Sequence, residues 1–544
     1  VSKNIPTNKY RISRKFEHKI EIFVNEDEFG KETIWLEPYC LKISGHFGLL
    51  AGYHFHVNPD YKGDRRRILQ KSLSIDNEGR ENKNFYADNY NRIHKFINLF
   101  HHKICPLNIF PDTKLDVHWP HKLDGIRILD TKTYIFSGNN KESSQYQGIK
   151  KYGPLSNAPD GLLCFLYRKE DKQLSYTLYN ALNGKTYPNF QGMEKMLHFP
   201  MNKESVTGMV INNFSEEEIL KVIRAMIDKY PNKSIVPILL LPWNKINNTQ
   251  ENQNTYYKLK HLFLMANIPT QFVSTIKIKN FEDLKWSISN IGLAIFSKLG
   301  GKPWKLAPKN EKTLIIGIGQ AHRRNAEGKI VKYFAYSVLA DSSGLYERIQ
   351  VLSRNENSAV YLNGLKSKII DVINSHSADY STFVIHAPFK LRKKEVESIN
   401  DGLRNYHTQK TIVVIKYNEF NDFLGFSLNH NSKVPFESTC VPLGGNQYLL
   451  WFEGLQYHNP TIKRRVAKPI HAEFIYSNRE VSENERVAYL QDSINISGAN
   501  WRGFNAKNMP ISIYYASLIA EYIGHFDRLS LSEIDIENLS PWFL

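Results

Sequence analysis

Strands and helices alternate regularly between residues 206 and 308, and this alternation limits the possible fold more than any other feature of the sequence. The apolar segment VTGMVIN precedes ILKVIRAMIDKY, a helix that Ser215 and Glu218 are predicted to open with a capping box. A strand (SIVPILLLPW), a helix (NTYYKLKHLFLMANI), a strand (TQFVSTIKI) and a long helix (DLKWSISNIGLAIFSKLGG) follow. This order is typical of a parallel, Rossmann-like α/β sheet. The G-x-G-x-x-G turn of dinucleotide-binding folds is missing.

A second pattern begins at residue 309. Three strands (TLIIGIG, KIVKYFAYSVLAD and LYERIQVLS) precede a helix, a strand, a helix and a strand, which is the element order of the RNase H fold. Residues 1–205 instead suggest short strands bounded by Gly, Pro and Asn, with one helix near Tyr90–His101 and a basic loop at Lys62–Arg67. The predicted fold class is therefore α/β, with a Rossmann-like domain, an RNase H-like domain and a strand-rich N-terminal region.

The charge of the chain favours a polyanionic partner. It contains 71 Lys and Arg residues against 54 Asp and Glu residues, a formal net charge of +17. Cations near phosphates release counterions, so a nucleic acid is one explanation, and a merely solubilising surface is the other. The longest apolar run, Ile235–Trp243, is about half of a membrane span. We therefore expect no membrane insertion by this chain.

Cysteine and histidine give little indication of a metal centre. No C-x-x-C pair occurs, so neither a zinc ribbon nor a disulfide framework is indicated, and a reducing cytoplasmic location is expected. The four cysteines are Cys40, Cys105, Cys164 and Cys440. His46, His54 and His56 lie close together in the sequence, but no acidic or cysteine residues with ligand spacing accompany them. Packing or stacking on bases explains them better than metal binding.

Four residues of the Rossmann-like region have the chemistry to bind a terminal phosphate. Tyr256 and Lys260 lie on one helix face because they are four residues apart. Gln271 begins the next strand, and Lys298 lies in the last turn of the following helix. In such sheets, ligands gather where strands end and helices begin. Taken singly, Lys298 could simply complement the helix dipole, and the other two could be an exposed pair.

As a set, these residues resemble the MID-domain pocket of Argonaute proteins, in which Tyr-x3-Lys is followed by Gln and a second Lys. The neighbouring segments IPTQFV and NIGLAIFSKLGGKPWKL resemble prokaryotic members of that family. The resemblance implies that Tyr256 contacts the first nucleotide of a guide strand and that Lys260, Gln271 and Lys298 hold its 5′-phosphate. It also implies a structural Mg²⁺ bound by Gln271 and the terminal carboxylate of Leu544. The implied partners are a guide RNA (or DNA) and a complementary target DNA (or RNA).

The resemblance also suggests a domain plan. Residues 206–308 would be MID, 309–544 PIWI, 141–205 a second linker, and 1–140 an N-like or APAZ-like region. This plan has no space for a PAZ domain, so the chain resembles short, PAZ-less Argonautes. Such proteins act in prokaryotic defence, and the implied role is a sensor that activates a separate effector protein encoded nearby.

The same resemblance implies that the chain does not cut its target. RNase H-type cleavage uses two metal ions held by carboxylates. The family pattern G-x-D-x-x-H corresponds to Gly317–His322, with Gly319 in the Asp position. Ala387 stands where R-D-G has its Asp, and Ser517 where Y-Y-A-H-L has its His. Two alternatives stay open: a shifted alignment, with Asp341 or Glu356 as the nearest acids, or a scaffold that has lost guide binding.

Basic residues near the PIWI region are candidates for contacts with the phosphates of a duplex. Each of them alone is more often a solvated surface charge. They are Arg323, Arg324, Lys390, Lys393, Arg464 and Arg502.

Overall fold

The alternation predicted from the sequence is present in the computed structural model, which describes residues 9–12, 18–110, 112–245, 248–457, 460–537, 539 and 541–544. The helices are α1 Arg65–Lys71, α2 Phe85–Ile104, α3 Gln145–Tyr152, α4 Lys172–Leu182, α5 Met193–Leu197, α6 Glu216–Lys229, α7 Gln250–Met265, α8 Thr275–Lys279, α9 Phe281–Lys298, α10 Ser358–Ser375, α11 Lys393–Arg404, α12 Glu483–Ile496 and α13 Ile511–Arg528. The strands are β1 Tyr10–Ile12, β2 Ile20–Asp27, β3 Gly30–Leu41, β4 His46–Val57, β5 Leu107–Phe110, β6 Thr113–Leu115, β7 Arg127–Ile128, β8 Tyr134–Ile135, β9 Lys141–Glu142, β10 Gly161–Arg168, β11 Val206–Ile211, β12 Ser234–Leu241, β13 Gln271–Ser274, β14 Lys305–Leu306, β15 Thr313–Arg324, β16 Ile330–Asp341, β17 Tyr346–Asn355, β18 Thr382–Pro388, β19 Thr411–Asn418, β20 Thr439–Gly444, β21 Gln447–Leu450 and β22 Ile470–Ser477. Among the described helices, none combines the length and the hydropathy that a bilayer crossing requires.

The chain divides into two units that do not follow the predicted boundaries. The first unit comprises Val1–Asp130 and Tyr417–Phe474, and the second comprises Thr131–Lys416 and Ile475–Leu544. The segment Tyr417–Phe474, which the predicted plan places within the 309–544 domain, groups by its contacts with the first unit.

Burial of apolar side chains explains why this segment joins the first unit. Val434 and Leu455 pack in one cluster with Phe85 and Tyr86 at the start of α2. The Tyr86 hydroxyl also donates a hydrogen bond of 2.7 Å to the carbonyl oxygen of Ala467. Contacts between residues this far apart in the sequence leave no local pattern.

The first unit is built on an antiparallel sheet with the strand order β1-β2-β3-β4. Helix α2 packs on this sheet through Ile93 and Phe96, which share a core with Ile22 and Ile34. It is longer than the helix predicted near Tyr90–His101. The predicted basic loop at Lys62–Arg67 ends at Asp64, which accepts a hydrogen bond of 2.8 Å from the Arg66 amide and caps helix α1, so Arg65–Arg67 are helical.

The second unit contains the Rossmann-like sheet, whose order is β11-β10-β12-β13, with every pair parallel. Strand β10 is buried between β11 and β12, although residues 141–205 were predicted as a linker. The predicted boundary at residue 206 separates this strand from the two strands with which it pairs. Strand β13 is also shorter than predicted, because the Ser274 hydroxyl accepts from the Ile276 amide and begins α8.

Helix α6 begins where the sequence predicts, with a different cap. The Ser215 hydroxyl accepts from the Glu218 amide at 3.3 Å. The Glu218 carboxylate accepts from the Asn212 amide at 2.8 Å and not from Ser215, so only half of the capping box forms.

The RNase H-like fold is confirmed by the order β17-β16-β15-β18-β19. Strand β15 is antiparallel to β16 and parallel to β18. One face of this sheet packs against α10 and α11 through a core that includes Ile316, Ile318 and Ile385. Helix α13 covers the other face, lying directly on β15 at Gly317 and Gly319.

Candidate nucleic-acid interface

Three elements of the Rossmann-like region bring the predicted phosphate ligands together. Lys260, on α7, donates to the carbonyl oxygen of Thr270 at 2.7 Å and to its hydroxyl at 3.2 Å. Thr270 immediately precedes Gln271, whose Oε1 accepts from Lys298 Nζ at 2.9 Å. Lys298, the last residue of α9, also donates to a main-chain oxygen of Leu544. Lys260, Gln271, Lys298 and Leu544 therefore lie in one continuous network.

The two lysines of this network are buried. Lys260 is 4% exposed and Lys298 is 2% exposed. Desolvation, with smaller contributions from Arg502 and Lys245, lowers the pKa of Lys260 to about 7. Desolvation also lowers the pKa of Lys298, with further contributions from Lys260 and Arg502. In the described part of the chain, no Asp or Glu side chain forms an ion pair with either amine. The Leu544 carboxylate is the one anionic group that contacts these amines, and a further anionic ligand would stabilise the cluster.

Arg502, which the sequence placed among the candidates for duplex contacts, lies near this cluster. Its charge adds to the desolvation that lowers the pKa values of Lys260 and Lys298, and it partly opposes the desolvation that raises the pKa of Tyr256. Its guanidinium donates to the Tyr514 hydroxyl at 3.2 Å, which holds the side chain in position. The cluster therefore contains a third cation, and its guanidinium can bind two oxygens of a phosphate at once.

Tyr256 lines an open cavity of about 290 Å³ beside the cluster. Its hydroxyl lies 3.1 Å from that of Tyr522, and Lys245 Nζ lies 5.4 Å from its ring centroid. The cavity wall combines aromatic rings with amide side chains, and the Trp243 Nε1 donor is buried there without a partner. Rings and amides together suit a planar, hydrogen-bonding ligand such as a nucleobase. The lining residues are Trp243, Asn244, Lys245, Asn248, Asn252, Gln253, Tyr256, Tyr257, Glu521 and His525.

The two atoms that the sequence implied as ligands of a Mg²⁺ ion both have a cationic partner in this structure. The two predicted ligand atoms, Gln271 Oε1 and a main-chain oxygen of Leu544, both accept hydrogen bonds from the Lys298 ammonium group. Mg²⁺ prefers carboxylate, carbonyl and water oxygens, so an ion bound by Gln271 Oε1 and the Leu544 carboxylate would have to displace this ammonium group. The ammonium group supplies the positive charge at this position.

The three positions predicted to have lost their catalytic ligands do not face one site. A Cβ atom built at Gly319 would lie 2.1 Å from the carbonyl group of Ala516, so α13 fills the space where an Asp side chain would stand. Ser517 follows on the same helix and is partly buried. Ala387 lies in the core on the opposite face, packed with α10 and α11.

The acids that a shifted alignment would use have other partners. Asp341 Oδ1 accepts from the Ser343 and Leu345 amides at 2.9 and 3.0 Å. Glu356 pairs with Arg323 at 3.3 Å. Within residues 131–416 and 475–544, as far as the structure describes them, no three His, Cys, Asp or Glu side chains converge as metal ligands do.

A family model described as "Piwi domain" matches residues 246–528, just over half of the chain. The chain belongs to the Piwi family. The match begins shortly before α7 and ends with α13. It therefore contains the three cations Lys260, Lys298 and Arg502, and strand β15 with Gly319.

Several known proteins are similar to this Piwi-family chain. A "Piwi protein" of Archaeoglobus fulgidus is 26% identical over 321 residues, covering 54% of this chain and 72% of that protein. A "Protein argonaute" of Cereibacter sphaeroides is 21% identical over 471 residues, covering 77% of this chain and 59% of that protein. The structure of Clostridium butyricum Argonaute bound to a guide DNA and a 19-mer target DNA aligns with a TM-score of 0.65 at 15% identity, covering 99% of this chain and 86% of that chain.

Most of the basic residues predicted to contact a duplex have partners within the Piwi-family chain. Arg323 pairs with Asp527 at 3.0 Å, and Arg324 donates to the carbonyl oxygen of Gly328 at 2.7 Å. Lys390 and Lys393 are exposed, and Lys393 lies 3.7 Å from Glu397. Arg464, in the first unit, pairs with Glu453 at 2.8 Å. Lys390 and Lys393 are therefore the most available of this set for contacts with phosphates.

Sequence patterns missed the residues that complete the pocket. Lys245 and Trp243 follow strand β12, and ligands of such sheets bind at the carboxyl ends of the strands. Their position in the sequence could therefore have predicted that they line the pocket. The sequence did not indicate that Arg502 lies near the pocket. This residue lies between α12 and α13, and only the tertiary fold brings it there.

Proposed function

We propose that this chain binds a 5′-phosphorylated nucleic-acid strand as a guide. Lys260, Gln271, Lys298 and Arg502 hold the phosphate, and the first base enters the cavity beside Tyr256. The observation that carries this proposal is the pair of buried lysines, of which only Lys298 contacts a carboxylate, that of Leu544. Lys260, Lys298 and Arg502 outnumber this one carboxylate, so a phosphate dianion balances the remaining positive charge and accepts several charge-assisted hydrogen bonds.

The guide then pairs with a complementary strand, most simply an RNA guide with a DNA target. The related Clostridium butyricum protein was solved with a guide DNA and a target DNA, which supports nucleic-acid pairing on this fold. Exposed Lys390 and Lys393 contact the duplex backbone, and base pairing supplies the specificity.

The chain does not cleave its target. The close approach of Ala516 to Gly319 supports this part of the proposal, because it leaves no volume for a metal-binding side chain at that position of β15. Two-metal hydrolysis requires carboxylates around the scissile phosphate. We further propose a short, PAZ-less Argonaute that acts in the cytoplasm as the sensor of a prokaryotic defence system and activates a separate effector.

The direct test is a competition between 5′-phosphate and 5′-hydroxyl forms of one RNA of roughly 20 nucleotides. We expect the phosphate form to bind at least about tenfold more tightly, and Lys260→Ala to remove this preference. Lys258→Ala is the matched control, since Lys258 is exposed on the same helix. Equal binding of both forms by the unchanged protein would reject guide binding and leave a basic scaffold.

The affinity for the phosphate form should fall as the pH rises above 7. The pKa of Lys260 is about 7, so at pH 8 most unliganded molecules carry a neutral amine there. A bound phosphate dianion raises this pKa, so binding takes up a proton, and affinity falls by up to about tenfold per pH unit. Below about pH 6 the phosphate itself becomes protonated, which weakens binding again.

A fluorescent strand titrated at several pH values measures this dependence, with the 5′-hydroxyl strand as the reference. The ratio of the two affinities should peak between about pH 6 and 7. A ratio that stays constant up to about pH 9 would mean that Lys260 remains charged throughout and that the pocket is more polar than its burial indicates.

A further inference from the structure

Three side chains in the first unit form a cluster that guide binding does not use. A ring nitrogen of His101, the Cys105 sulfur and a carboxylate oxygen of Asp116 all lie within 4.8 Å of one another. Across the part of the chain that the structure describes, no other three His, Cys, Asp or Glu side chains approach in this way.

Local structure explains why these residues meet. His101 lies in the last turn of α2, and Cys105, four residues later, directly follows the helix on the same side. The hairpin of β5 and β6 then returns the chain, pairing Leu107 with Leu115. Asp116 comes immediately after this pair and therefore stands beside the end of α2.

Hydrogen bonding prepares His101 as a ligand. Its Nε2 lies 2.5 Å from the carbonyl oxygen of Val117. A carbonyl oxygen only accepts, so Nε2 carries the hydrogen, and Nδ1 keeps the lone pair that a metal requires. Ligating histidines commonly donate their other ring nitrogen to a backbone carbonyl in this way.

We propose that His101, Cys105 and Asp116 bind one Zn²⁺ ion, with water as the fourth ligand. Imidazole nitrogen, thiolate sulfur and carboxylate oxygen are the ligands of zinc, whereas Mg²⁺ and Ca²⁺ require oxygen alone. In a tetrahedral zinc site the ligand atoms lie roughly 3.5 Å apart, so closure needs movements of only about 1 Å. Asp116 is exposed, which leaves the fourth position open to water.

The ion would fasten the β5–β6 hairpin to the end of α2. Cys105 is partly buried, and burial raises the pKa of its thiol, so without a metal it stays protonated. Zinc displaces this proton and binds the thiolate. The role is structural and independent of the guide pocket, which lies in the second unit.

The test uses the full chain, purified without chelators and without a histidine tag. Elemental analysis should find about one zinc per chain, and cobalt replacing it should give the near-ultraviolet absorption of a cobalt–thiolate bond. Cys105→Ser should remove that absorption, and Asp116→Asn should weaken metal binding more than about tenfold. His102→Ala is the control, because His102 is the exposed neighbour of His101 and should retain full binding.

Two results would overturn the proposal. One is an unchanged protein that holds no zinc and gives no thiolate band when titrated with cobalt, a measurement that needs no variant to fold. The other is a Cys105→Ser protein that retains metal like the unchanged chain. Either result would mean that the cluster is held together only by hydrogen bonds to the Val117 peptide group.

Discussion

Lys298→Met is expected to weaken binding of a 5′-phosphorylated strand about 100-fold, and to leave binding of the 5′-hydroxyl strand unchanged. Methionine fills nearly the same buried volume but carries no charge and donates no hydrogen bond. The loss of one buried, charge-assisted contact costs about 2.7 kcal/mol, which corresponds to this factor. Because Lys298 is 2% exposed, bulk water cannot replace its ammonium group.

Fluorescence anisotropy with the two strand forms measures this effect, and Lys302→Met is the matched control at an exposed position four residues away. A Lys298→Met protein that keeps its phosphate preference would show that Lys260 and Arg502 suffice. A loss of affinity for both strand forms would instead indicate damage to the fold.

The same variant tests the role of divalent metal. In the unchanged protein, Lys298 contacts both oxygens that a Mg²⁺ ion would need, so affinity should be equal in EDTA and in Mg²⁺. In Lys298→Met those oxygens lose their donor, and Mg²⁺ should recover part of the affinity. If the unchanged protein requires Mg²⁺, then Gln271 and Leu544 are metal ligands after all, and Lys298 moves aside when the strand binds.

Gly319→Ala is expected to lower the free energy of unfolding by about 3 kcal/mol. The added methyl group would lie 2.1 Å from the Ala516 carbonyl group, and the backbone of a helix cannot move aside as a flexible side chain can. Helix α13 would have to shift off β15 and disturb the packing of the whole sheet face. Gly319→Asp should be worse still, and should not create a nuclease.

Chemical denaturation of the purified variants provides the measurement. Gly48→Ala is the control, because a Cβ there has no neighbour within 4 Å, and its effect should stay within about 0.5 kcal/mol. If Gly319→Ala were as stable as the unchanged protein, α13 would not lie against β15 in solution. The proposal that this face is closed to catalysis would then fail.

Much of the second unit could be predicted because its strands, helices and candidate ligands follow from patterns between residues close together in the sequence. Helical spacing placed Tyr256 and Lys260 on one face, and the ends of β13 and α9 located Gln271 and Lys298. The strand and helix order from Thr313 onward sufficed for the RNase H-like fold. In each case, neighbours in the sequence are also neighbours in the structure.

The failures involve contacts that local patterns do not carry. The sequence of β10 did not show that this strand belongs to the Rossmann-like sheet. Its place inside the sheet depends on its pairing with β11 and β12, which follow it in the sequence. The segment Tyr417–Phe474 resembles the end of the RNase H-like domain until its burial against Tyr86 is known. The His101–Cys105 spacing of four residues was visible, but Asp116, the third member of the cluster, reaches it only through a hairpin.

The division of the first unit between two distant segments has a consequence for synthesis on the ribosome. Tyr86 forms two hydrogen bonds with the later segment. Its hydroxyl donates to the carbonyl oxygen of Ala467 and accepts from the indole Nε1 of Trp451 at 3.1 Å. Translation is slow compared with local folding, so the first 130 residues emerge long before the segment that completes their core. Phe85 and its neighbours are therefore exposed to solvent during that interval. An N-terminal fragment produced alone should behave as a client of chaperones, and only a nascent chain that has passed residue 474 can complete this unit.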